Sequence, residues 1–232
     1  MPENQVIKLD AFDKKLLYEL DRNSRAELAS LAKKLQRSKP FVLYRIRRLE
    51  EEGVITSYTA IVDMSKLGYF TFRAYIKFQQ MTVDETQKFV QHVRDKLKQV
   101  WTITTMHGKW DIALFLGVKK MSEFHEIWDN IMLSYKKNIK SYNVAVYAPI
   151  FNFNRTFFID TKEEVLTRVY GAGEKEDIDE LDNKIIELYA PNVRQSAADI
   201  AKKLGVSPDT TRSRIKKLEH KKIIVGYKTF FY

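Results

Sequence analysis

The sequence predicts an α+β fold: a three-helix module at each end of the chain, with a domain of alternating strands and helices between them. Three observations lead there. Residues 9–63 return without a gap as residues 178–232. Each copy carries a short, cation-dense helix behind a serine, SKPFVLYRIRRLEEEGVI at 38–55 and SPDTTRSRIKKLEHKKII at 207–224. The stretch between them shifts from helical spacing to strand alternation in the order β-α-β-β-α-β.

Bulk properties narrow the class. The chain has 232 residues, of which 44% are hydrophobic, enough to build cores in about two domains. No apolar run approaches the roughly 20 residues that span a bilayer, and MPENQVIKLD lacks a basic-then-apolar signal pattern. A cytoplasmic protein with no membrane partner is expected. With no cysteine, disulfides and thiolate metal sites are excluded. The net charge of +10 favours a polyanionic partner. Its placement says more. Residues 33–48 hold Lys33, Lys34, Arg37, Lys39, Arg45, Arg47 and Arg48 with no acid. Residues 202–217 hold Lys202, Lys203, Arg212, Arg214, Lys216 and Lys217, opposed only by Asp209. Such local density is expected where phosphates dock.

The repeat has a constant offset of 169 residues, from Asp10 to Asp179. It pairs Asp13 with Asp182, Arg25 with Arg194, Ser38 with Ser207, Arg45 with Arg214, Ile46 with Ile215, Leu49 with Leu218 and Tyr58 with Tyr227. In copy one, Asp10 caps a first helix, Asp13 sits in its positive first turn, and Leu16, Leu17 and Leu20 form its stripe. A short second helix, AELASLAKKL, places Leu28, Leu31 and Leu35 inward. The third starts at Ser38, tolerates Pro40 in its first turn and ends at Gly53, where a left-handed residue suits a helix stop. VITSYTAIV then leaves as a strand. The copies differ at two turns: Gln36-Arg37 stands where copy two has Gly205-Val206, which predicts slight strain in copy one. Lys222 stands in place of Gly53, which predicts a weaker helix stop in copy two.

On the third helix, about 100° of rotation per residue puts Val42, Ile46 and Leu49 on one side. Pro40, Tyr44, Arg47 and Arg48 fall opposite, with Lys39 at the leading end. The same side of copy two carries Asp209, Arg212, Ser213, Lys216 and Lys217. Arginine can fork onto guanine edges or reach phosphates, and tyrosine offers a hydroxyl and a stacking face. One such face would be read as solvated surface; two, at equivalent positions, favour double-stranded DNA. Asp209 would repel phosphate, so copy one is the stronger candidate, and copy two reads DNA more weakly or docks against protein.

In the middle domain, TFRAYIKFQQ, VWTITTMHG, WDIALFLGV and SYNVAVYAPI read as strands, the second and third meeting at a tight Gly108-Lys109 turn. VDETQKFVQHVRDKL and MSEFHEIWDNIMLSYKKN read as helices, completing the split unit of a ferredoxin-like sandwich. Helices would cover one sheet face and leave another, rich in Phe, Tyr and Ile, for dimerisation. Residues 155–176 suggest an extra strand, a short helix begun by Asp160 with Glu163 in its first turn, and a mobile Gly171-Ala-Gly173 linker. The expected domains are 1–63, 64–154 and 177–232, joined by the 155–176 linker.

The run LDAFDKKLLYELDRNSR…LAKKLQRSKPFVLYRIRRLEEEGVITSYTAIVD, followed by the βαββαβ pattern, resembles the Lrp/AsnC (feast/famine) transcription regulators over residues 9 to about 153. The resemblance implies an N-terminal winged helix-turn-helix, a sheet domain that pairs into a homodimer or higher oligomer, and a small effector such as an amino acid. It places that effector at Gly108-Lys109-Trp110-Asp111, with Asp111 receiving an ammonium, backbone near Gly108 a carboxylate, and His107 and Trp110 alongside. The alternative there is that Gly108 and Asp111 only shape a hairpin. The second helix-turn-helix departs from the family, and Tyr232 is equivalent to Asp63, where another sheet domain would begin. Either four DNA-binding units occur per dimer, or a further domain follows.

Other activities have weaker support. Siroheme decarboxylase subunits resemble the same family, but their His-Asn-Tyr type run is matched here only by MHGKWD, with His107 alone. HEIWD at 125–129 has metal-like spacing without a third ligand. The strands lack the aromatic run of RNA-recognition modules. No catalytic residue, metal or cofactor is expected.

Overall fold

A computed structural model describes residues 7–159 and 165–231 of the chain. They fall into two compact units: residues 7–63, 151–159, 165–169 and 177–231 form the first, and residues 64–150 with 170–176 the second. The two repeat copies therefore share one unit, which the expected domain boundaries did not anticipate.

In the first unit, copy one contains α1 (Ala11–Arg22), α2 (Leu28–Lys34), α3 (Lys39–Glu51) and β1 (Ile55–Val62). Asp10 accepts from the Asp13 backbone while Asp13 returns the bond, a reciprocal cap. Ser38 caps α3, with Pro40 in the first turn. Leu16, Leu17, Leu20, Leu31, Val42, Ile46 and Leu49 are buried together. The turn after α2 is held by Gln36 at φ 53°, where copy two has Gly205 at φ 67°; after α3 the roles exchange, Gly53 at φ 71° against Lys222 at φ 57°. Each copy thus carries one non-glycine residue in left-handed backbone, but α3 and α8 stop at equivalent positions, Glu51 and His220, so the weaker stop expected at Lys222 is not seen.

The second unit begins with β2 (Phe70–Phe78) and continues through α4 (Val83–Lys96), β3 (Val100–Thr105), β4 (Ile112–Val118), α5 (Met121–Tyr135) and β5 (Ile139–Val146). Its strands pair antiparallel in the order β3-β4-β2-β5. That is the ferredoxin-like order. Phe72, Ala74, Ile76 and Phe78 of β2 join Ile112, Leu114, Leu116 and Val118 of β4 beneath Phe89, Val93, Ile127 and Ile131 of the helices. The isoleucines Ile76 and Ile112 lie on this covered side. The opposite face of β2 and β4 carries Arg73, Tyr75, Lys77 and Phe115, with Trp101 packed against Phe115, so it is aromatic and cationic rather than rich in isoleucine. β3 and β4 are joined by residues 106–111, a longer loop than the Gly108-Lys109 turn expected.

β6 (Ile150–Phe153) and β7 (Thr167–Tyr170) form a ribbon, with a 3-10 turn at Thr156–Phe158. This supplies the extra strand, but as half of a pair; the helix expected at Asp160 and Glu163 lies outside the described residues. The glycine linker is tied down within the second unit. Gly173 N–H donates to Ser65 Oγ at 2.9 Å, and Glu176 N–H to the Lys66 carbonyl at 2.8 Å. Copy two follows in the first unit as α6 (Glu180–Tyr189), α7 (Ala197–Leu204), α8 (Pro208–His220) and β8 (Ile224–Phe231). No helix among the described residues is long and apolar enough to cross a membrane.

Gln36→Gly should raise unfolding free energy by up to about 1 kcal/mol, because relief of left-handed strain exceeds the added freedom of the unfolded chain. Denaturant titration reads this directly; Gly205→Ala should move stability the other way.

Candidate nucleic-acid interface

The outward side of α3 is built by what holds its inner side. Asp13 is fully buried in α1, and two cations of α3 converge on it: Arg45 Nε at 3.2 Å and Arg48 from one helical turn on. Arg45 also pairs with Asp10. Copy two repeats this arrangement. Asp182 is fully buried and is met by Arg214 at 3.1 Å and Lys217 at 2.8 Å, while Arg214 also pairs with Asp179. The Arg214 hydrogen bond holds the Asp179 carboxyl below the usual carboxylate range. A buried carboxylate without such partners would be costly. Arg48 and Lys217, expected among the DNA contacts, are therefore engaged in holding the reader helix to its module.

The remaining residues of that set stand outward. Lys39, Pro40, Tyr44 and Arg47 are exposed on α3, Tyr44 at 62%. Arg212, Ser213 and Lys216 lie on the outward side of α8, where Arg212 pairs with Asp209 one turn earlier. The carboxylate expected to repel phosphate is thus partly neutralised in place.

The two modules join through their last strands. β1 pairs antiparallel with β8, and Thr59 lies opposite Lys228, its own equivalent in the repeat. Tyr58 faces Thr229 and Ala60 faces Tyr227, which are again equivalent pairs exchanged. Among the described residues, the strand that follows each module's third helix pairs with the other module's strand. Around the pairing, contacts come in twos. Tyr58 donates to Glu50 at 2.6 Å, and Tyr227 donates to Glu219. Burial raises both phenol pKa values, which keeps them protonated as donors. Arg25 lies over the Tyr227 ring at 5.6 Å, and Arg194 over the Tyr58 ring at 4.1 Å.

The β6–β7 ribbon locks this junction. Arg155 forms an ion pair with the fully buried Asp21 at 2.6 Å and donates to the Thr229 carbonyl at 3.2 Å. Arg168 donates to the Tyr227 carbonyl at 3.3 Å and to the Arg22 carbonyl at 2.5 Å, touching both modules. A Cβ on Gly226 would sit 2.5 Å from Arg168 Nε, so a larger residue there would force that side chain to shift. Sequence reasoning missed Arg155 and Arg168, which lie outside the repeat. The identities Arg25/Arg194 and Tyr58/Tyr227 did carry a signal, since both pairs recur at the junction.

In the second unit, the 106–111 loop exposes His107, Gly108 and Lys109, with Trp110 half-buried and tilted against Tyr75 at 6.0 Å. Asp111 is occupied: Oδ1 accepts from Lys77 at 2.7 Å and Oδ2 from the Phe78 backbone at 2.7 Å. Lys77 also reaches the Gly108 carbonyl at 3.2 Å. The carboxylate expected to receive an effector ammonium already holds a lysine and a strand end.

Comparison with known proteins agrees with this geometry. A winged helix-turn-helix DNA-binding model matches residues 9–56, and an AsnC-type helix-turn-helix model matches 178–219. An uncharacterised HTH-type transcriptional regulator of Pyrococcus furiosus is 35% identical over 119 residues, spanning 51% of this chain and 79% of the relative. The chain belongs to the Lrp/AsnC family. It is a DNA-binding transcriptional regulator of the Lrp/AsnC type with a second helix-turn-helix near its C-terminus. A transcriptional regulator of Neisseria meningitidis, solved as an L-Met complex, shares the fold (TM-score 0.51, 22% identity, 61% of this chain and 90% of that one). The siroheme decarboxylase NirDL shares it too, at TM-score 0.60 and 17% identity, over 95% of this chain and 65% of that one.

Because Arg48 is bound to a buried carboxylate and Arg47 is not, their alanine variants should separate. Arg48→Ala should lower unfolding free energy by about 1–3 kcal/mol, and Arg47→Ala by less than about 0.5 kcal/mol. Urea unfolding of the two proteins makes the comparison, and equal losses would remove the distinction.

Proposed function

We propose that this Lrp/AsnC regulator grips duplex DNA with Lys39, Pro40, Tyr44 and Arg47 of α3 and with Arg212, Ser213 and Lys216 of α8. The observation that carries the reading is the division of cations on each helix. One set is bound to buried aspartates; Lys39, Arg47 and Lys216 extend outward with no ion pair among the described residues. A helix held rigidly by its inner cations and presenting outer ones suits a major groove. The sheet domain supplies the self-association surface of a homodimer or higher oligomer through its aromatic and cationic face. The protein acts by binding rather than by catalysis.

The effector is an amino acid or similar carboxylate at the 106–111 loop, with a role for Asp111 different from the one first expected. Asp111 positions Lys77, and the Lys77 ammonium with the exposed Gly108 backbone meets the effector carboxylate. The L-Met complex of the Neisseria relative supports a ligand of this class. The siroheme decarboxylase likeness favours a second reading, an enzyme subunit on the same fold; a Soret band appearing on addition of an iron porphyrin would support it.

DNA affinity should fall by roughly 10³- to 10⁵-fold between 50 and 200 mM salt if 6–10 phosphates are contacted; a flat response in fluorescence anisotropy would argue against groove binding. Lys77→Ala should weaken amino-acid binding by calorimetry while effector-free DNA affinity stays unchanged.

A further inference from the structure

We propose that the first unit is a complete two-reader DNA-binding body made by one chain, an internal pseudo-dimer that recognises a single duplex site whose two halves differ in sequence. This rests on the DNA-binding reading of α3 and α8.

The pairing of β1 with β8 supplies the symmetry. Two antiparallel strands that meet at equivalent residues, Thr59 and Lys228, are related by a local two-fold axis through that pair. The doubled contacts of Tyr58 with Arg194 and of Tyr227 with Arg25 obey the same axis. A two-fold rotation keeps its two copies at one height along the axis. That is how dimeric helix-turn-helix proteins bring two readers to half-sites one helical turn, about 10–10.5 base pairs, apart. Here both readers come from one chain, and Arg155 and Arg168 clamp the junction so that their separation is set by the fold.

The comparison of the copies supplies the unlike halves. Across the two reader helices and their caps, the identical pairs are Ser38/Ser207, Arg45/Arg214, Ile46/Ile215, Leu49/Leu218 and Glu50/Glu219. Each pair serves the frame, as the cap, the bond to the buried aspartate, two core positions and the tyrosine contact in turn. The outward positions differ: Lys39/Pro208, Pro40/Asp209, Tyr44/Ser213 and Arg47/Lys216. The frame is kept and the reading surface is changed. Arg47 presents a planar fork suited to guanine O6 and N7, and Lys216 a point charge; Tyr44 brings a ring where Ser213 brings only a hydroxyl. Asp209, at the leading end of α8, can accept from a cytosine amino group, for which Pro40 has no counterpart.

The test uses the full chain and a duplex site enriched from a randomised library. Arg47→Ala should cost roughly tenfold or more in affinity and relax base preference in one half of the site only; Lys216→Ala should do the same in the other half. Stoichiometric titration should give one chain per duplex bearing one site, whatever the order of self-association. Five base pairs inserted between the halves should abolish the two-half mode by turning them to opposite faces. A symmetric site occupied by two chains per duplex, with Lys216→Ala silent, would overturn the inference and leave DNA binding by α3 intact. Absence of any duplex binding would sink the underlying reading as well.

Discussion

Antiparallel pairing of β1 with β8 is the constraint on which the rest of the first unit depends. A strand leaving a three-helix module has a row of unpaired N–H and C=O groups, and such an edge invites pairing with another chain. Here each module covers the other's edge. A two-stranded ribbon by itself is marginal in water, so it needs packing on its faces. The buried Thr229 hydroxyl donates to the Leu20 carbonyl at 2.7 Å, and Arg155 and Arg168 reach the carbonyls of β8. The Arg155–Asp21 pair is only partly withdrawn from water on the arginine side, while Asp21 is fully buried. A pair of that kind adds little net stability compared with apolar packing, but breaking one side leaves a buried charge, so it specifies this junction strongly against alternatives.

The same logic sorts the cations of the reader helices. Both helices are rich in Lys and Arg, and sequence periodicity alone separates only core from non-core. Asp13 and Asp182 make a finer division, because each buried carboxylate draws in the side chains nearest the core edge and leaves those a quarter-turn further round exposed. Arg47 and Arg48 are neighbours in sequence with different roles. Rigidity follows: a helix pinned by a capping serine, a core stripe and a charge network holds its outer residues in place, so less order has to be imposed when it docks.

Local physics made much of this legible. The caps at Asp10, Ser38, Asp179 and Ser207, the leucine stripes, the left-handed turns at Gln36 and Lys222 and the βαββαβ order all leave marks within a few residues. The pairing of β1 with β8 joins residues about 170 positions apart and leaves no period. Arg155 and Arg168 stand outside the repeat and look like ordinary surface cations. Asp111 does lie in the loop after β3, but its partner Lys77 is on another strand, so the engagement of its carboxylate was invisible from the loop's own sequence. The 106–111 loop exceeded the expected turn because a glycine marks where a chain can bend, not where the strands stop pairing.

A homodimer of identical readers is bound by its own symmetry: both copies must carry the same residues, so the site they prefer is a palindrome. Placing both copies in one chain removes that restriction while the junction can still demand two-fold geometry. The residues that build the junction and hold the helices, Tyr58/Tyr227, Arg25/Arg194 and Arg45/Arg214, stay matched because each must satisfy the same partner on both sides. Lys39, Tyr44 and Arg47 of α3 and Ser213 and Lys216 of α8 have no such partner among the described residues and are free to diverge. The ribbon completes the break. It touches the two modules through different atoms, and Arg168 lies close over Gly226 on one strand where the equivalent residue of the other is Ser57. Two-fold at its centre and unequal at its surface, the unit is suited to reading the two halves of a duplex site differently.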